Sequence, residues 1–340
     1  MDYRHAEVKR YMQNLGVPPQ NCVPLNGLIV QAALERGLNV KRHGKGIALD
    51  AGGAQRLTWA RAFTNFNVPL ARRVADNKEV ASRLLSAYGV TSTDNAVFTP
   101  DEAERAWQWA KDFPQIVVKP TDSLRGQGVH LGIDNREDFF KAFASVSERR
   151  SKRVLVEQFY RGAERRCLTV DGKFVAATNR RPASVVGDGT STISDLVAEK
   201  NIDRPLAHYP LVVDEDTVQY LAEQGFSPES VPDSGVRVNI ARGIQLGRGG
   251  DAVDATEELT EEEIEFVEKA ARALPGGRLI GMDVLFSRSP GDDPSRILEL
   301  NSNPLISMHH FPLEGEPRDV AGAIVDAMFP GFRLGAAKSA

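Results

Sequence analysis

The chain has 340 residues, 41% hydrophobic and 26% charged, with a formal net charge of −4; that length suits two domains or one lobed enzyme, and the charge argues against nucleic acid as a main partner. No apolar run approaches the roughly 20 residues that cross a bilayer, and Met1-Asp2-Tyr3-Arg4-His5 lacks the apolar core of a secretory signal. Two cysteines, Cys22 and Cys167, make neither a disulfide framework nor a metal cluster, so a cytoplasmic location is expected, with Cys167 a core residue.

In chain order, a helix is expected from Asn26 to Arg36, then strands at Leu38–Lys41 and Ile47–Ala51. A helix from about Asn77 to Tyr88 has Asp76 as its cap, Glu79 as capping-box partner and Gly89 at its C-terminal end. Thr99-Pro100-Asp101-Glu102 opens another, with Ala103, Trp107, Ala110 and Phe113 at helical spacing.

Strands follow at Ile116–Lys119, Gly128–Ile133 and Arg153–Phe159. Cys167–Val170 and Lys173–Thr178 flank Asp171-Gly172, a hairpin signal. Residues 182–250, rich in Gly, Pro and Asp, read as a long irregular stretch. A helix at Glu261–Leu274, capped by Thr260 with Glu263 as its box partner, leads into strands Leu279–Phe286 and Arg296–Asn301. Helices and strands mix in short units without a strict βαβ repeat, which predicts an α+β fold. Arg149 and Arg150 read as a solvated face.

No Walker-type phosphate loop is present, and Gly126-Gln127-Gly128-Val129-His130-Leu131-Gly132 misses the dinucleotide spacing. Ile116-Val117-Val118-Lys119-Pro120 is nevertheless an apolar strand ending in a lysine, which needs an anionic partner. The loop from Thr121 to Gly128 offers backbone N–H groups and Arg125 to cover phosphates. Lys78 falls in the first turn of its helix, where the dipole already favours an anion.

A second constellation is acidic. Asp283 interrupts the apolar run Ile280–Phe286, while Glu299 and Asn301, two residues apart, share one face of a strand. Such carboxylates need an arginine or a metal, and oxygen donors of this kind suit magnesium held with nucleotide phosphates. A structural salt bridge is the competing reading of the same residues.

Together these segments resemble the ATP-grasp superfamily, most closely the ligase modules of cyanophycin synthetase and bifunctional glutathione synthetase. The resemblance is carried by Val117–Pro120 with its Gly-rich loop, 156–164, Val185-Val186-Gly187-Asp188-Gly189, 249–254, 298–304 and the tail from Met308 through Pro330. It covers roughly residues 25 to 331. It implies two α+β lobes gripping ATP after a short N-terminal region: residues 1–75 before the grasp, 76–155 a central lobe, 156–333 a C-terminal lobe with the metal site, and 334–340 a tail.

It also implies roles. Lys78 and Lys119 match lysines on the nucleotide phosphates, and Ser123 to Val129, including Arg125, Gly126 and Gly128, match the loop closing over them. Glu157 matches the acid at the adenine amino group, with the backbone of Gln158, Phe159 and Tyr160 lining the ring, and Glu164 matches the acid on the ribose. Asp283, Glu299 and Asn301 match ligands of Mg²⁺ (or Mn²⁺). Arg166 and Arg180 match arginines near the γ-phosphate and the substrate carboxylate, and are the catalytic candidates.

The implied activity is ATP-dependent joining of a carboxylate to an amine, through an acyl phosphate, with release of ADP and phosphate. Small-molecule acids and amines (amino acids or short peptides) are the expected substrates, with no nucleic-acid or membrane partner and homo-oligomerisation left open. The alternatives are a ligase acting on a protein or peptide terminus, and a catalytically silent nucleotide-binding module. Gln245 and Arg248 depart from the pattern of the relatives, and His309 and His310 read as packing or substrate-loop residues rather than zinc ligands. The large partner modules of both relatives have no counterpart in the sequence, so their overall reactions are not carried across.

Overall fold

The computed structural model describes residues 3–53, 55–60, 63–121, 128–148, 153–244 and 246–332. Its first part runs α1 (His5–Asn14), α2 (Pro24–Glu35), β1 (Asn39–His43), β2 (Gly46–Asp50), β3 (Arg56–Ala60), β4 (Phe63–Thr64), α3 (Pro69–Ala75) and α4 (Lys78–Ala87). The middle runs β5 (Asn95–Phe98), α5 (Ala103–Ala110), β6 (Ile116–Pro120), β7 (His130–Ile133), α6 (Arg136–Ser147) and β8 (Val154–Gln158). Then come β9 (Ala163–Val170), β10 (Lys173–Arg181), β11 (Ser184–Val186), α7 (Ile193–Ile202), α8 (Glu215–Glu223), β12 (Arg237–Asn239) and β13 (Asp251–Asp254). The chain closes with α9 (Glu261–Ala273), β14 (Leu279–Phe286), β15 (Arg296–Asn301), α10 (Ser307–His310) and α11 (Val320–Met328).

The strands form antiparallel sheets ordered β1-β2-β3-β4, β5-β8-β6-β7 and β13-β10-β9-β14-β15, with β11-β12 as a separate ribbon. Antiparallel sheets beside segregated helices are the expected α+β class.

Local chemistry explains several boundaries. Asp171 (φ 50°) and Gly172 (φ 73°) make the left-handed two-residue turn that matches the twist of β9 and β10. Thr260 and Glu263 close a capping box on α9, as Thr99 and Glu102 do before α5. The cap of α4 differs from the expectation: Asn77 caps it by accepting from the Val80 N–H, Asp76 ends α3 instead, and Glu79 bonds Arg83.

Residues 182–250 depart most from the sequence reading. They carry α7, α8 and the β11-β12 ribbon around their own small core, in which Val185, Ile193, Leu221 and Val238 are buried. Polar residues of the stretch are used as caps: Asp214 on α8 and Thr192 with Asp195 on α7.

Alternation along the five-stranded sheet separates its two faces. Cys167, Ala177, Ile280, Met282, Val284 and Leu300 point into one core with α9 and the α4 residues Ala81 and Leu85. Cys167 is thus the expected core residue, and burial pushes its thiol far up. The opposite face is apolar at one end, through Leu168, Val170 and Leu279 packed beneath α2 and α11, and polar at the other. In the β5-β8-β6-β7 sheet, Ile116, Val118, Val154 and Val156 face α5 and α6. Among the described residues no helix is long and apolar enough to cross a membrane.

Candidate active site

The polar end of the five-stranded sheet is set by register. Arg166 on β9 stands opposite Asp283 on β14 and Thr178 on β10, while Asp283 stands opposite Glu299 on β15. Glu164, Arg180 and Asn301 lie two residues along from Arg166, Thr178 and Glu299, so the period of two puts all of them on one face. Gly281, opposite Asn301, keeps that face open: a Cβ there would stand 2.7 Å from Pro304 Cβ and 3.5 Å from Arg166 Nη1.

Asp283 is the centre of this face. Arg166 Nε lies 2.8 Å from its Oδ1, and Arg180 Nη2 lies 3.1 Å from its Oδ2. Arg180 also bonds Glu164. Burial alone would raise the Asp283 pKa, but the two guanidinium groups outweigh it and hold the carboxyl below its ordinary value. Burial likewise opposes the Arg180 charge, and Asp283 and Glu164 more than restore it. The Arg166–Asp283 contact is an ion pair without hydrogen-bond alignment. Asp283 Oδ1, Arg166 Nε and Arg166 Nη1 therefore remain buried with no hydrogen-bond partner among the described residues.

The central sheet supplies a second pair. Lys119 on β6 and Glu157 on β8 are diagonal neighbours, since Lys119 pairs with Leu155 and Glu157 with Val117. Their side chains are bonded, which is the anionic partner the buried lysine required. Lys78, the first residue of α4, joins the two sheets. Its Nζ lies 3.2 Å from Glu299 Oε2, and its charge is felt by Glu157, Lys119 and Asp283. Burial pushes the Lys78 ammonium down, but Glu157 and Glu299 override it and leave it above the ordinary lysine value. Lys119, buried and beside Lys78, is pushed below it.

Eight of the expected site residues are thus gathered: Lys78, Lys119, Glu157, Glu164, Arg166, Arg180, Asp283 and Glu299. Asn301 shares their face and also turns its Oδ1 to the Asn303 N–H at 2.8 Å. Gln158 and Phe159 commit their backbone N–H groups to the Asp94 and Gln115 carbonyls, which fixes the segment between the sheets. The Tyr160 hydroxyl donates to Asp94 Oδ2 at 2.6 Å, and the Arg296 guanidinium stacks on its ring at 3.4 Å. Gly128 adopts φ 73°. Ser123, Arg125 and Gly126 lie outside the described residues, as do Arg149, Arg150 and Gln245.

One buried residue on this face, Thr178, escaped the sequence reading, and it meets His309, which was expected as a packing or substrate-loop residue. Thr178 sits between Arg166 and Arg180 and shares a 2.9 Å hydrogen bond with His309 Nδ1. The spacing Thr178-x-Arg180 was the available signal. His309 is pushed down to about 3 by burial and then by Arg166, so it sits there as a neutral ring.

Among the described residues no cluster of three or more His, Cys, Asp or Glu side chains surrounds a common point. Two carboxylates and one amide oxygen still fit Mg²⁺, which takes one or two carboxylates and completes its shell with phosphates and water. Asp283 Oδ1, ion-paired with Arg166 but accepting no hydrogen bond among the described residues, would be the atom open to such an ion.

No family model matches the sequence. Over 323 residues the chain is 32% identical to the cyanophycin synthetase of Trichormus variabilis, an alignment covering 92% of this chain and 36% of that protein. It is 33% identical over 242 residues to a glutathione biosynthesis bifunctional protein of Clostridium perfringens, covering 67% of this chain and 30% of that protein. A crystal structure of a bifunctional glutathione synthetase from Pasteurella multocida matches with a TM-score of 0.70 and 23% identity, over 90% of this chain and 43% of that one. The chain therefore spans about a third of the length of the curated relatives it matches. Homology along most of the chain, joined to the shared fold, places it in the ATP-grasp superfamily beside the cyanophycin synthetases and bifunctional glutathione synthetases.

Proposed function

We propose that the chain is an ATP- and Mg²⁺-dependent carboxylate–amine ligase. A substrate carboxylate oxygen attacks the γ-phosphorus of ATP and ADP leaves. The amine nitrogen then attacks the acyl carbon, loses a proton and expels phosphate, leaving an amide. The observation that carries this reading is the face on which Asp283 lies between Arg166 and Arg180, opposite Glu299 and beside Lys78.

Bringing a triphosphate to a carboxylate opposes two anions, and fixed cations offset that charge. Lys78 and Lys119 would hold phosphate oxygens, with Glu157 freed to meet the adenine amino group and Glu164 the ribose. Arg166 and Arg180 would face the transferring phosphoryl group and the acyl oxyanion, where charge develops. Asp283, Glu299 and Asn301 would hold Mg²⁺ (Mn²⁺ as substitute), which supplies charge neutralisation and phosphate polarisation. Ser123, Arg125, Gly126 and Gly128 belong to the proposed phosphate-covering loop.

We read residues 76–155 as the central lobe and 156–333 as the C-terminal lobe, after a leading region at 1–75 and before a tail at 334–340. The separate core spanning Phe98 to Val156 supports this division, although α4 packs beneath the five-stranded sheet. Substrate selection falls to residues 182–250. A cavity of about 350 Å³ lined by Val212, Asp214, Asp216, Tyr220, Ile240 and Arg242 supports that placement. Amino acids or short peptides are the proposed substrates, in the cytoplasm. A pairwise amino-acid screen with ATP, reading phosphate release and product mass, tests the proposal. A matched pair should give phosphate and an amide, whereas a silent nucleotide-binding module gives neither and a kinase gives a phosphorylated substrate.

A further inference from the structure

A second buried charge cluster lies where residues 182–250 meet the five-stranded sheet. Lys200 Nζ is 2.6 Å from Asp251 Oδ2, and Arg204 Nη2 is 3.1 Å from Asp251 Oδ1. The Arg204 and Asp251 side chains are only 4% and 3% exposed. Two cations share one carboxylate among the described residues, so the cluster carries one surplus positive charge, with Lys200 partly exposed and Arg204 out of water. An uncompensated buried charge is costly. Burial accordingly pushes the Arg204 guanidinium below its ordinary value, with Asp251 opposing only in part.

Hydrogen bonding shows the same deficit. Arg204 Nη2 donates to the Gly249 carbonyl at 2.9 Å and to Asp251, but Arg204 Nε and Nη1 are buried with no partner among the described residues. The neighbouring His208 accepts the Ala252 backbone N–H at Nε2, 2.9 Å away. A neutral ring that accepts at Nε2 carries its proton on Nδ1, and His208 Nδ1 makes no aligned hydrogen bond among the described residues, with the Pro205 backbone beside it. Buried donors normally find acceptors. Here two guanidinium donors and one poorly aligned imidazole N–H are left over among the described residues, in a cluster with one surplus positive charge.

We infer that Arg204 and His208 form an enclosed subsite for a single carboxylate group. One carboxylate cancels the surplus charge, and its two oxygens accept from the leftover donors. Asp251 of β13 pairs with Arg181 of β10, so its side chain lies on the sheet face away from Arg180, Arg166 and Asp283, and the subsite is separate from the reaction centre. A free amino acid carries such a carboxylate, so an amino-acid substrate is one source of it, a part of the inference that rests on the ligase reading.

Thermal unfolding of the full chain without ATP tests the subsite, with sodium formate, glycine, glycinamide or sodium chloride as probe and sodium methanesulfonate holding ionic strength constant. Formate and glycine should raise the unfolding temperature saturably, and glycinamide, which lacks the carboxylate, should not. Arg204→Gln should weaken the half-saturating formate concentration at least tenfold. His208→Gln retains an acceptor for the Ala252 N–H but lacks the Nδ1 donor. It should weaken formate severalfold in a chain whose charge is unchanged, and it serves should Arg204→Gln fail to fold. Formate protection without glycine protection would mean a free-anion site rather than a substrate subsite. Chloride as effective as formate, no saturable carboxylate response, or an unchanged response in His208→Gln would each overturn the inference. Carboxylate protection in a chain that releases no phosphate in the amino-acid screen would uphold the subsite and sink the ligase reading instead.

Discussion

Asp283 on β14 and Glu299 on β15 are cross-strand partners, one held by Arg166 and Arg180 and the other by Lys78. Directly opposed side chains on antiparallel strands have Cβ atoms about 4.5–5.5 Å apart, and two unpaired carboxylates at that range repel. A cation stands beside each, and a metal bound between them would serve both.

Glu299→Gln keeps the shape of this pair and removes one charge. Loss of even an outer-shell partner costs about 10–100-fold in metal affinity, so the half-saturating Mg²⁺ concentration for ligation should rise by at least about that much. Metal titrations at saturating ATP check it. An unchanged requirement would confine Glu299 to its salt bridge with Lys78.

Lys119 and Glu157 are both buried and bonded to each other. Removing one partner of such a pair strands the other charge, at about 3–5 kcal/mol. Lys119→Met and Glu157→Gln should each destabilise by that order, and the double variant by less than the sum of the two. All three should lose affinity for a non-hydrolysable ATP analogue in calorimetric titration. Retained affinity in the double variant would remove the pair from the nucleotide site.

Arg180 touches Glu164 and Asp283 from the end of β10. Arg180→Ala should keep ATP binding and lose about 10²–10³ in kcat, the usual cost of one donor aimed at developing charge. An arginine serving only as a structural counter-ion would leave kcat within about threefold. Steady-state kinetics on the substrate pair found by screening separates the two.

His309 and His310 give a pH signature. Burial, then Arg166, pushes His309 down to about 3, and burial pushes His310 down to about 4, against an ordinary value of 6.5. Unfolded, both take up protons below pH 6.5; folded, they resist until about pH 4 or lower. Their contribution is therefore full above pH 6.5 and is lost as pH falls, by about 1.4 kcal/mol per unit per group. Urea midpoints at pH 7.5, 6 and 5 should fall in that order, and His309→Asn should flatten the step from pH 6 to 5 by about that amount. An equal step in both proteins would contradict a buried neutral ring.

Much of this site was legible because it obeys short-range rules. Strands β14 and β15 fall where the sequence put them, the apolar run marked Asp283 as an intruder in a core strand, and the period of two placed Glu299 with Asn301. What the residues could not reveal was pairing across long separations. The register bringing Asp283 to Arg166 spans more than a hundred residues, and the Arg204–Asp251 contact joins a loop to a strand 47 residues on. The 182–250 region hid its helices because its core is small and its strands β11 and β12 are three residues each. Periodicity needs more length than that to show. At α4 the cap fell to Asn77 rather than Asp76 because α3 ends on Asp76, a helix boundary with no sequence mark of its own.

The central claim is the acyl phosphate, and the nucleotide product tests it most directly. The full chain should be incubated with Mg²⁺, ATP and the acid found by screening, with hydroxylamine replacing the amine, and the products read by mass. The arrangement of Lys78, Arg166, Arg180 and Asp283 predicts ADP, phosphate and the acid's hydroxamate in equal amounts. AMP and pyrophosphate beside the same hydroxamate would contradict it, since the carboxylate would then have been activated at the α-phosphorus.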